Sequence, residues 1–336
     1  MRTRIAIIGI GPASGPHMQS LQDLRDRVEI ISVAGRNPER TRAFGERFGV
    51  PTTTDVDAVL QDPRVEAVLV LTPPNAHLEI AERCFAQGKH VLLEKPLEVS
   101  MDRAERLVAA GRVAGRRLGV VLQHRFRPGS LRLRQHIVAN ALGRLQAAFL
   151  AVPWWRPQSY YDEPGRGTMR RDGGGVLLTQ AIHSLDLFRS LVGVVEVTAA
   201  HVTTTTLHRM ETEDYVSALV RIGDSGYGTI MATTAAYPGS PERIDIIGQS
   251  ACAHLVGGGL YISWLDGRTE TIETEARTGS GSNIMDFSHE PHRALLTDFL
   301  DSLRQDRDPI VCGEEALASQ RLVDEILALG KTAVDQ

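Results

Sequence analysis

A chain of 336 residues with 42% hydrophobic and 23% charged side chains is long enough for about two domains, each with its own core. A net charge of −4 and a pI near 6.3 exclude the strong basic bias of a protein that binds nucleic acid or anionic membrane. The three cysteines, Cys84, Cys252 and Cys312, are odd in number and lack CxxC spacing. Neither a disulfide framework nor a zinc motif is expected, and a reducing cytoplasm fits. The first apolar stretch, Ile5 to Ile8, is broken at Gly9 and Gly11, too short for an export signal.

In chain order, Arg4–Ile8 reads as a strand, followed by a turn and a helix opening near Pro16, with Met18, Leu21 and Leu24 at helical spacing. Val28–Ala34 is a second strand. Asn37-Pro38 supplies an N-cap and a first-turn proline for a helix that closes near Gly49. Val65–Leu71 is almost wholly apolar, as a strand covered on both faces should be. Thr72-Pro73-Pro74 ends it, and a helix from Asn75 to Gln87 stops at Gly88. Lys89–Leu93 and Leu118–Leu122 are further strands, separated by a helix from about Ser100 to Ala114. Strands joined by helices of this length imply right-handed crossovers and a parallel, doubly wound α/β sheet over residues 1–122.

From residue 123 the rhythm changes. One helical segment, about Gly175 to Leu191, precedes strand-like runs at Val194–Thr203, Tyr215–Ile222, Gly228–Ala235 and Arg243–Ile247, then around Leu260–Trp264 and Thr269–Thr274. Hairpin-type joints at Gly223-Asp224-Ser225-Gly226 and Pro238-Gly239-Ser240-Pro241 make this an α+β domain over residues 123–336, with a large, open, mostly antiparallel sheet. Such a sheet needs helices on one face only, leaving the other free to pair with a second subunit in a homodimer or homotetramer. Gly257-Gly258-Gly259, among these strands, reads as a turn. Two helices, near His289–Arg304 and Glu314–Leu329, close the chain.

The first turn, Gly9-x-Gly11-x-x-Ser14, stands between strand and helix, as a dinucleotide-binding turn does. The first glycine permits the tight turn and the second lets backbone approach a pyrophosphate, while Ser14 replaces the third small glycine. Gly9, Gly11, Pro12, Ala13 and Ser14 are therefore expected at the phosphates, on a free helix N-terminus. The second strand ends Ala34-Gly35-Arg36-Asn37 without the carboxylate that an NAD site places on the ribose 2′-hydroxyl. Glycine leaves room there and Arg36 can pair a 2′-phosphate, so NADP is expected over NAD, with Gly35, Arg36 and Asn37 lining the adenosine end.

Lysine is the scarce cation: Lys89, Lys95 and Lys331 stand against thirty-four arginines. Lysine can be tuned to give or take a proton, whereas arginine stays charged. Lys95 sits in Glu94-Lys95-Pro96 at the carboxyl end of a parallel strand, where ligands bind in such sheets. Thr72-Pro73-Pro74-Asn75-x-His77 ends the neighbouring strand in the same way. In the second half, Asp172-Gly173-Gly174-Gly175 leads into the helical segment, on which Thr179, His183 and Asp186 would share one face.

Together, Gly9/Gly11 with His17, Thr72-Pro73-Pro74, Glu94-Lys95-Pro96 and the triple glycine before His183 resemble the Gfo/Idh/MocA family over nearly the whole chain. The segment His292 through Gly313, with Asp298-Phe299-Leu300 and Pro309, is similar as well. The resemblance implies a Rossmann domain followed by an open antiparallel sheet, and an oxidoreductase using a nicotinamide cofactor on a sugar, cyclitol or sugar derivative. It identifies Lys95 as the active-site lysine and His183 as the catalytic histidine. Thr179 occupies a position four before that histidine that is often Asp or Asn in relatives; threonine positions a hydroxyl but carries no charge.

The residue types suit that chemistry. An imidazole can take the proton of a secondary alcohol while hydride leaves its carbon, and an ammonium stabilises the developing alkoxide. Thr72, Pro73, Pro74, Asn75, His77, Glu94, Lys95 and Gln123 are expected around the cofactor, and Arg125, Arg156 and Tyr160 around the substrate. Asp186 is placed to orient His183, or to pair elsewhere. His289 and His292 resemble half a metal site without a zinc-spaced partner motif, so no metal is expected. Two other functions share this fold: a nucleotide-sensing regulator without turnover, and a glycosidase that oxidises and re-reduces its substrate on a resident cofactor.

Overall fold

Apolar runs on both sides of each crossover decide the first sheet, whose three central strands have no polar face to show water. A computed structural model describes residues 2–274 and 287–332, leaving aside the side chains of the last two, and divides the chain into two units. One unit comprises Met1–Val121 together with His289–Ala318; the other comprises Leu122–Ser288 and Ser319–Gln336. Beside the expected cut between 122 and 123, this division sets residues 289–318 with the first unit. The helix that follows the second sheet belongs with the first unit, where it packs on the helix after the glycine turn.

In the first unit the strands are β1 (Thr3–Ile8), β2 (Val28–Ala34), β3 (Thr52–Thr53), β4 (Ala67–Val70), β5 (His90–Leu93) and β6 (Leu118–Val120). The helices between them are α1 (Ser14–Asp23), α2 (Pro38–Phe48), α3 (Val56–Gln61), α4 (His77–Ala86) and α5 (Met101–Val113). All six strands are parallel, in the order β3-β2-β1-β4-β5-β6. Ala67–Val70 is buried at every position, as is Val91–Leu93. The order reverses direction beside β1, so the carboxyl ends of β1, β4 and β5 form the ligand edge of the doubly wound sheet. The two-residue β3 and the short α3 carry too little pattern to be read from sequence.

The second unit begins with α6 (Pro128–Val138) and β7 (Leu145–Pro153), followed by three one-turn helices: α7 (Gln158–Tyr161), α8 (Met169–Asp172) and α9 (Val176–Thr179). Then come α10 (Ile182–Val192), β8 (Val194–Thr203), β9 (Tyr215–Ile222), β10 (Gly226–Thr233), β11 (Arg243–Gly248), β12 (Ala251–Val256), β13 (Gly259–Trp264) and β14 (Thr269–Ile272). The last helices are α11 (Glu290–Arg304), in the first unit, and α12 (Gly313–Thr332). The eight strands run β14-β13-β12-β11-β7-β10-β9-β8, antiparallel except for the β7–β10 pair. Gly257 and Gly258 make the turn between β12 and β13, both with positive φ.

Alternation along these strands sets the two faces. Ala148, Leu150 and Val152 of β7, Val216, Ala218 and Val220 of β9 and Ile230 of β10 point into the core, where α6, α9 and α10 cover the sheet. The other face carries Leu219, Tyr227, Phe149, Ile247 and Tyr261, all exposed. The register lines Leu219, Thr229, Phe149, Asp245, His254 and Tyr261 into one row across it.

The helix expected from Gly175 to Leu191 is instead broken at Gln180-Ala181. Ala181 N–H reaches back to Val176 O at 2.8 Å, a five-residue turn wider than an α-turn. Thr179 ends one helix and His183 lies in the first turn of the next, so the shared helical face expected for Thr179, His183 and Asp186 does not form. No helix among the described residues is long and apolar enough to cross a membrane.

Candidate functional site

In the first unit, β1 delivers the chain to Gly9 with φ of +112°, a conformation that suits only glycine, and a Cβ there would stand 2.6 Å from Leu71 O. That close approach brings the glycine turn against the end of β4. A Cβ on Gly11 would meet nothing within 4 Å, so the second glycine faces open space on the ligand side. Ser14 folds its hydroxyl and its N–H back onto Gly11 O at 2.7 and 3.0 Å, and no side chain caps α1.

The tip of β2 differs from expectation in one respect. Gly35 is buried, and its missing Cβ would collide with Thr41 Oγ1 at 2.4 Å and Ile10 Cδ1 at 2.8 Å. Packing, and not room for a phosphate, demands glycine there. Asn37 Oδ1 accepts from Arg40 N–H at 2.9 Å as the N-cap of α2, so its side chain is committed to the helix. Arg36 is exposed and makes no ion pair among the described residues.

The ends of β4 and β5 are tied together. His77 is completely buried, with Nε2 3.0 Å from Thr72 O and Nδ1 3.1 Å from Pro96 O. Burial pulls its pKa below the ordinary imidazole value. His77, expected at the cofactor, thus pins one strand end to the other from inside. Glu94 is buried too, with Oε1 2.8 Å from His17 Nε2 and Oε2 accepting Lys95 N–H at 2.9 Å. Hydrogen bonding and charge from His17, with the charges of Lys95 and His292, overcome desolvation and hold its carboxyl down at about 2. Lys95 is half-buried, and the Lys95–Pro96 bond is cis. Lys89 spends its ammonium on Asp62 O and Val65 O at 2.7 and 3.0 Å. Pro73 and Asn75 are exposed and Thr72 and Pro74 half-buried at the same edge.

In the second unit, His183 is buried in the first turn of α10, and its ring lies 5.0 Å from that of His124, tilted by 32°. Arg127 can only donate, so His124 Nε2, 2.7 Å from Arg127 Nη2, accepts; its proton sits on Nδ1, 3.4 Å from Ser184 Oγ. The glycine run is fixed by Glu213, which sequence reading did not single out. Its carboxylate accepts Gly175 N–H at 3.0 Å and Leu177 N–H at 3.2 Å, and its carbonyl accepts Val176 N–H at 2.9 Å. A Cβ on Gly175 would stand 1.9 Å from Glu213 O, so only glycine admits this anchor. Thr179 Oγ1 lies 2.7 Å from Gly175 O and also against Gln180 Oε1.

Arg125 is not exposed to a ligand. It is buried in a two-pronged ion pair with Asp186, at 2.7 and 2.6 Å, and Ser319 donates to the same carboxylate at 2.6 Å. Asp186 therefore takes the second of the two alternatives expected for it, pairing with Arg125, a residue expected around the substrate. Arg156 is likewise buried, its Nη1 on Trp155 O at 2.7 Å and its guanidinium 5.3 Å from the Trp154 ring; burial lowers its pKa. Tyr160 is half-buried and its hydroxyl accepts from Arg166 Nη1 at 2.9 Å. Two residues expected at the cofactor, Thr72 and Gln123, hold buried oxygens, Thr72 Oγ1 and Gln123 Oε1, with no hydrogen-bond partner among the described residues.

Residues 3–122 match the family model described as the oxidoreductase family, NAD-binding Rossmann fold, and residues 130–254 match the GFO/IDH/MocA C-terminal domain. The chain belongs to the Gfo/Idh/MocA oxidoreductase family. It is 26% identical over 325 residues to scyllo-inositol 2-dehydrogenase (NAD(+)) of Bacillus subtilis, covering 94% of this chain and 90% of that one. It is 24% identical over 323 residues to myo-inositol 2-dehydrogenase of Thermotoga maritima, covering 93% and 91%. The crystal structure of the WlbA dehydrogenase from Chromobacterium violaceum, in complex with NADH and UDP-GlcNAcA, superposes with a TM-score of 0.85 at 26% identity, over 99% of this chain and 94% of that one.

The first unit's features fit such a cofactor on their own terms: open space at Gly11 and an unsatisfied buried oxygen at Thr72. A buried polar atom without a partner costs roughly 1–3 kcal/mol, which a polar ligand would return. The Arg125–Asp186 pair gives a test of a different kind. Asp186→Ala deprives a buried guanidinium of its carboxylate and should destabilise the protein by about 3–5 kcal/mol, read as a lower urea midpoint. An unchanged midpoint would show the pair to be energetically idle.

Proposed function

We propose that this chain is a dehydrogenase or reductase that moves hydride between a nicotinamide cofactor, NADP in preference to NAD, and a secondary alcohol or ketone of a sugar, cyclitol or sugar derivative. The observation that carries the reading is the joint presence of Lys95 and His183 in the family's motifs, on a turn and a helix that are each clamped by buried groups. The relatives named for inositols and the WlbA complex with a nucleotide sugar support polyhydroxylated substrates.

When bound, the nicotinamide supplies the hydride acceptor or donor. His183 takes the hydroxyl proton in oxidation and returns it in reduction. Lys95 stabilises charge on the same substrate oxygen. Gly9, Gly11, Pro12, Ala13 and Ser14 hold the phosphates, with Thr72, Pro73, Pro74, Asn75 and Gln123 completing the cofactor surface. Thr179, whose hydroxyl sits on Gly175 O, shapes the approach to His183 and relays no proton. Tyr160, half-buried, contributes an aromatic wall for the sugar, with Arg156 buried behind it, its guanidinium 5.9 Å from that ring. Arg36, exposed and without an acidic partner at the tip of β2, selects the 2′-phosphate. The exposed sheet face with Leu219, Tyr227 and Phe149 joins a second copy of this chain.

Lys95→Ala and His183→Ala should each lower kcat by about 10²-fold or more in a screen of sugars and cyclitols, with cofactor binding retained. Near-wild-type turnover in both would remove the site assignment, and cofactor binding with no turnover in the wild type would return the regulator. For the cofactor, KM for NADP should lie below that for NAD, and Arg36→Asp should reverse the order; an NAD preference in the wild type defeats the assignment of Arg36. For assembly, Tyr227→Arg with Leu219→Arg should lower the mass measured by light scattering, and an unchanged oligomer would move the interface elsewhere.

A further inference from the structure

Glu94 is the least expected group in the first unit: an anion buried beneath the turn that carries the proposed active-site lysine. Its neighbours come from three distant parts of the chain. His17 lies on α1, just after the glycine turn, and is wholly buried; His292, also buried, lies on α11. The two imidazole rings meet edge to face at 5.1 Å, and one donor atom from each of His17, Glu94 and His292 lies within 4.8 Å of the others. One carboxylate oxygen faces His17 Nε2 at 2.8 Å while the other takes the Lys95 N–H at 2.9 Å.

Two imidazoles and a carboxylate are also a metal-ligating set. A histidine that ligates a metal donates its other ring N–H to an outer group. His17 Nδ1 has no hydrogen-bond partner among the described residues, and Nε2 is already engaged by the carboxylate. His17 thus lacks, among the described residues, the outer acceptor that steers a ligating histidine. Burial works against the charge of Glu94, yet the carboxyl stays ionised through the ordinary pH range because the positive side of its surroundings is supplied by His17, Lys95 and His292.

We propose that the buried His17–Glu94–His292 group is the positioning device of the Lys95 turn, fixing the direction of the lysine from α1 and α11. The carboxylate cannot rotate to follow solvent, because one oxygen is held by His17. Its second oxygen holds the Lys95 peptide, while on the far side of that residue His77 holds Pro96 O at 3.1 Å. Lys95 thus leaves a backbone restrained immediately before and after it, and the same carboxylate biases its amine toward the ammonium. None of the three residues needs to touch substrate. The inference rests on the reading of Lys95 as the functional ammonium.

The scarcity of lysine supplies a readout independent of turnover. The full chain, with and without NADP, is labelled with trace acetic anhydride, and the Lys95 peptide is quantified by mass spectrometry against Lys89, which is buried on two carbonyls in the same protein. In Glu94→Gln, loss of the neighbouring anion should move the Lys95 labelling midpoint to lower pH and raise its labelling at fixed pH several-fold. In Glu94→Gln and His17→Gln, kcat should fall roughly tenfold to a hundredfold, the scale of a small misplacement, with a smaller change in cofactor affinity. Circular dichroism reports folding, and if Glu94→Gln does not fold, His17→Gln and His292→Gln give the same kcat and labelling readouts. An unchanged Lys95 profile and kcat in folded Glu94→Gln overturns the proposal. So does a stoichiometric metal in the purified protein that His292→Gln loses. Full turnover in Lys95→Ala would instead sink the functional reading of Lys95 while leaving the labelling result to judge the positioning.

Discussion

A buried carboxylate is expensive unless its oxygens are hydrogen-bonded, and each oxygen of Glu94 has a partner at the point where the parallel sheet ends. Its two oxygens face α1 through His17 and the Lys95 peptide. The glycine turn, the end of β5 and the helix α11 therefore share one constraint. The approach of Gly9 to Leu71 O and the pin from His77 to Thr72 O and Pro96 O extend it to β4. Three strand ends that could each fray as loops are held as one surface, and that surface is the ligand edge of the sheet.

The second unit solves a similar problem differently. A run of glycines leading into a helix has high conformational entropy and no side chains to hold it. Glu213 supplies the missing anchor by accepting backbone N–H groups of the run and of the first turn of α9, a carboxylate at a helix N-terminus. On the opposite side of α10, Arg125, Asp186 and Ser319 form a buried, mutually satisfied group. His183 sits between these two fixed points in sequence, just past the wide turn at Gln180-Ala181. The rigid parts are polar in both units, and the energy of holding them goes into direction more than into stability.

The sequence showed the sheets well because periodicity reports burial directly: apolar runs at Ala67–Val70 and Val91–Leu93, and alternation in Tyr215–Ile222. It showed Gly9 because a turn packed this closely on Leu71 O admits only glycine. It misled where one side chain had two possible partners. Arg125 and Asp186 are far apart in the chain, and nothing local says that they choose each other over ligand and histidine. Gly35 was read as space left for a phosphate, whereas Thr41 and Ile10 fill that space. His77 looked available because it follows a ligand-edge motif, but the carbonyls it holds come from both strand ends. β12 escaped notice because Ala251-Cys252-Ala253-His254 has little β-propensity and depends on its neighbours β11 and β13. The grouping of α11 with the first unit is a long-range contact that no local pattern encodes.

Thr179 shows how such constraints limit chemistry. Its single hydroxyl hydrogen is directed at Gly175 O, with Gln180 Oε1 beside it, so the side chain closes the turn that precedes His183. In the proposed reaction the proton taken by His183 then has no acid–base partner at that position. The neighbouring ring, His124, is kept neutral at Nε2 by the Arg127 donor, and Arg127 is in turn paired with Glu242. In the proposed reaction, charge on the substrate oxygen is balanced by Lys95, a lysine in a chain that uses arginine almost everywhere.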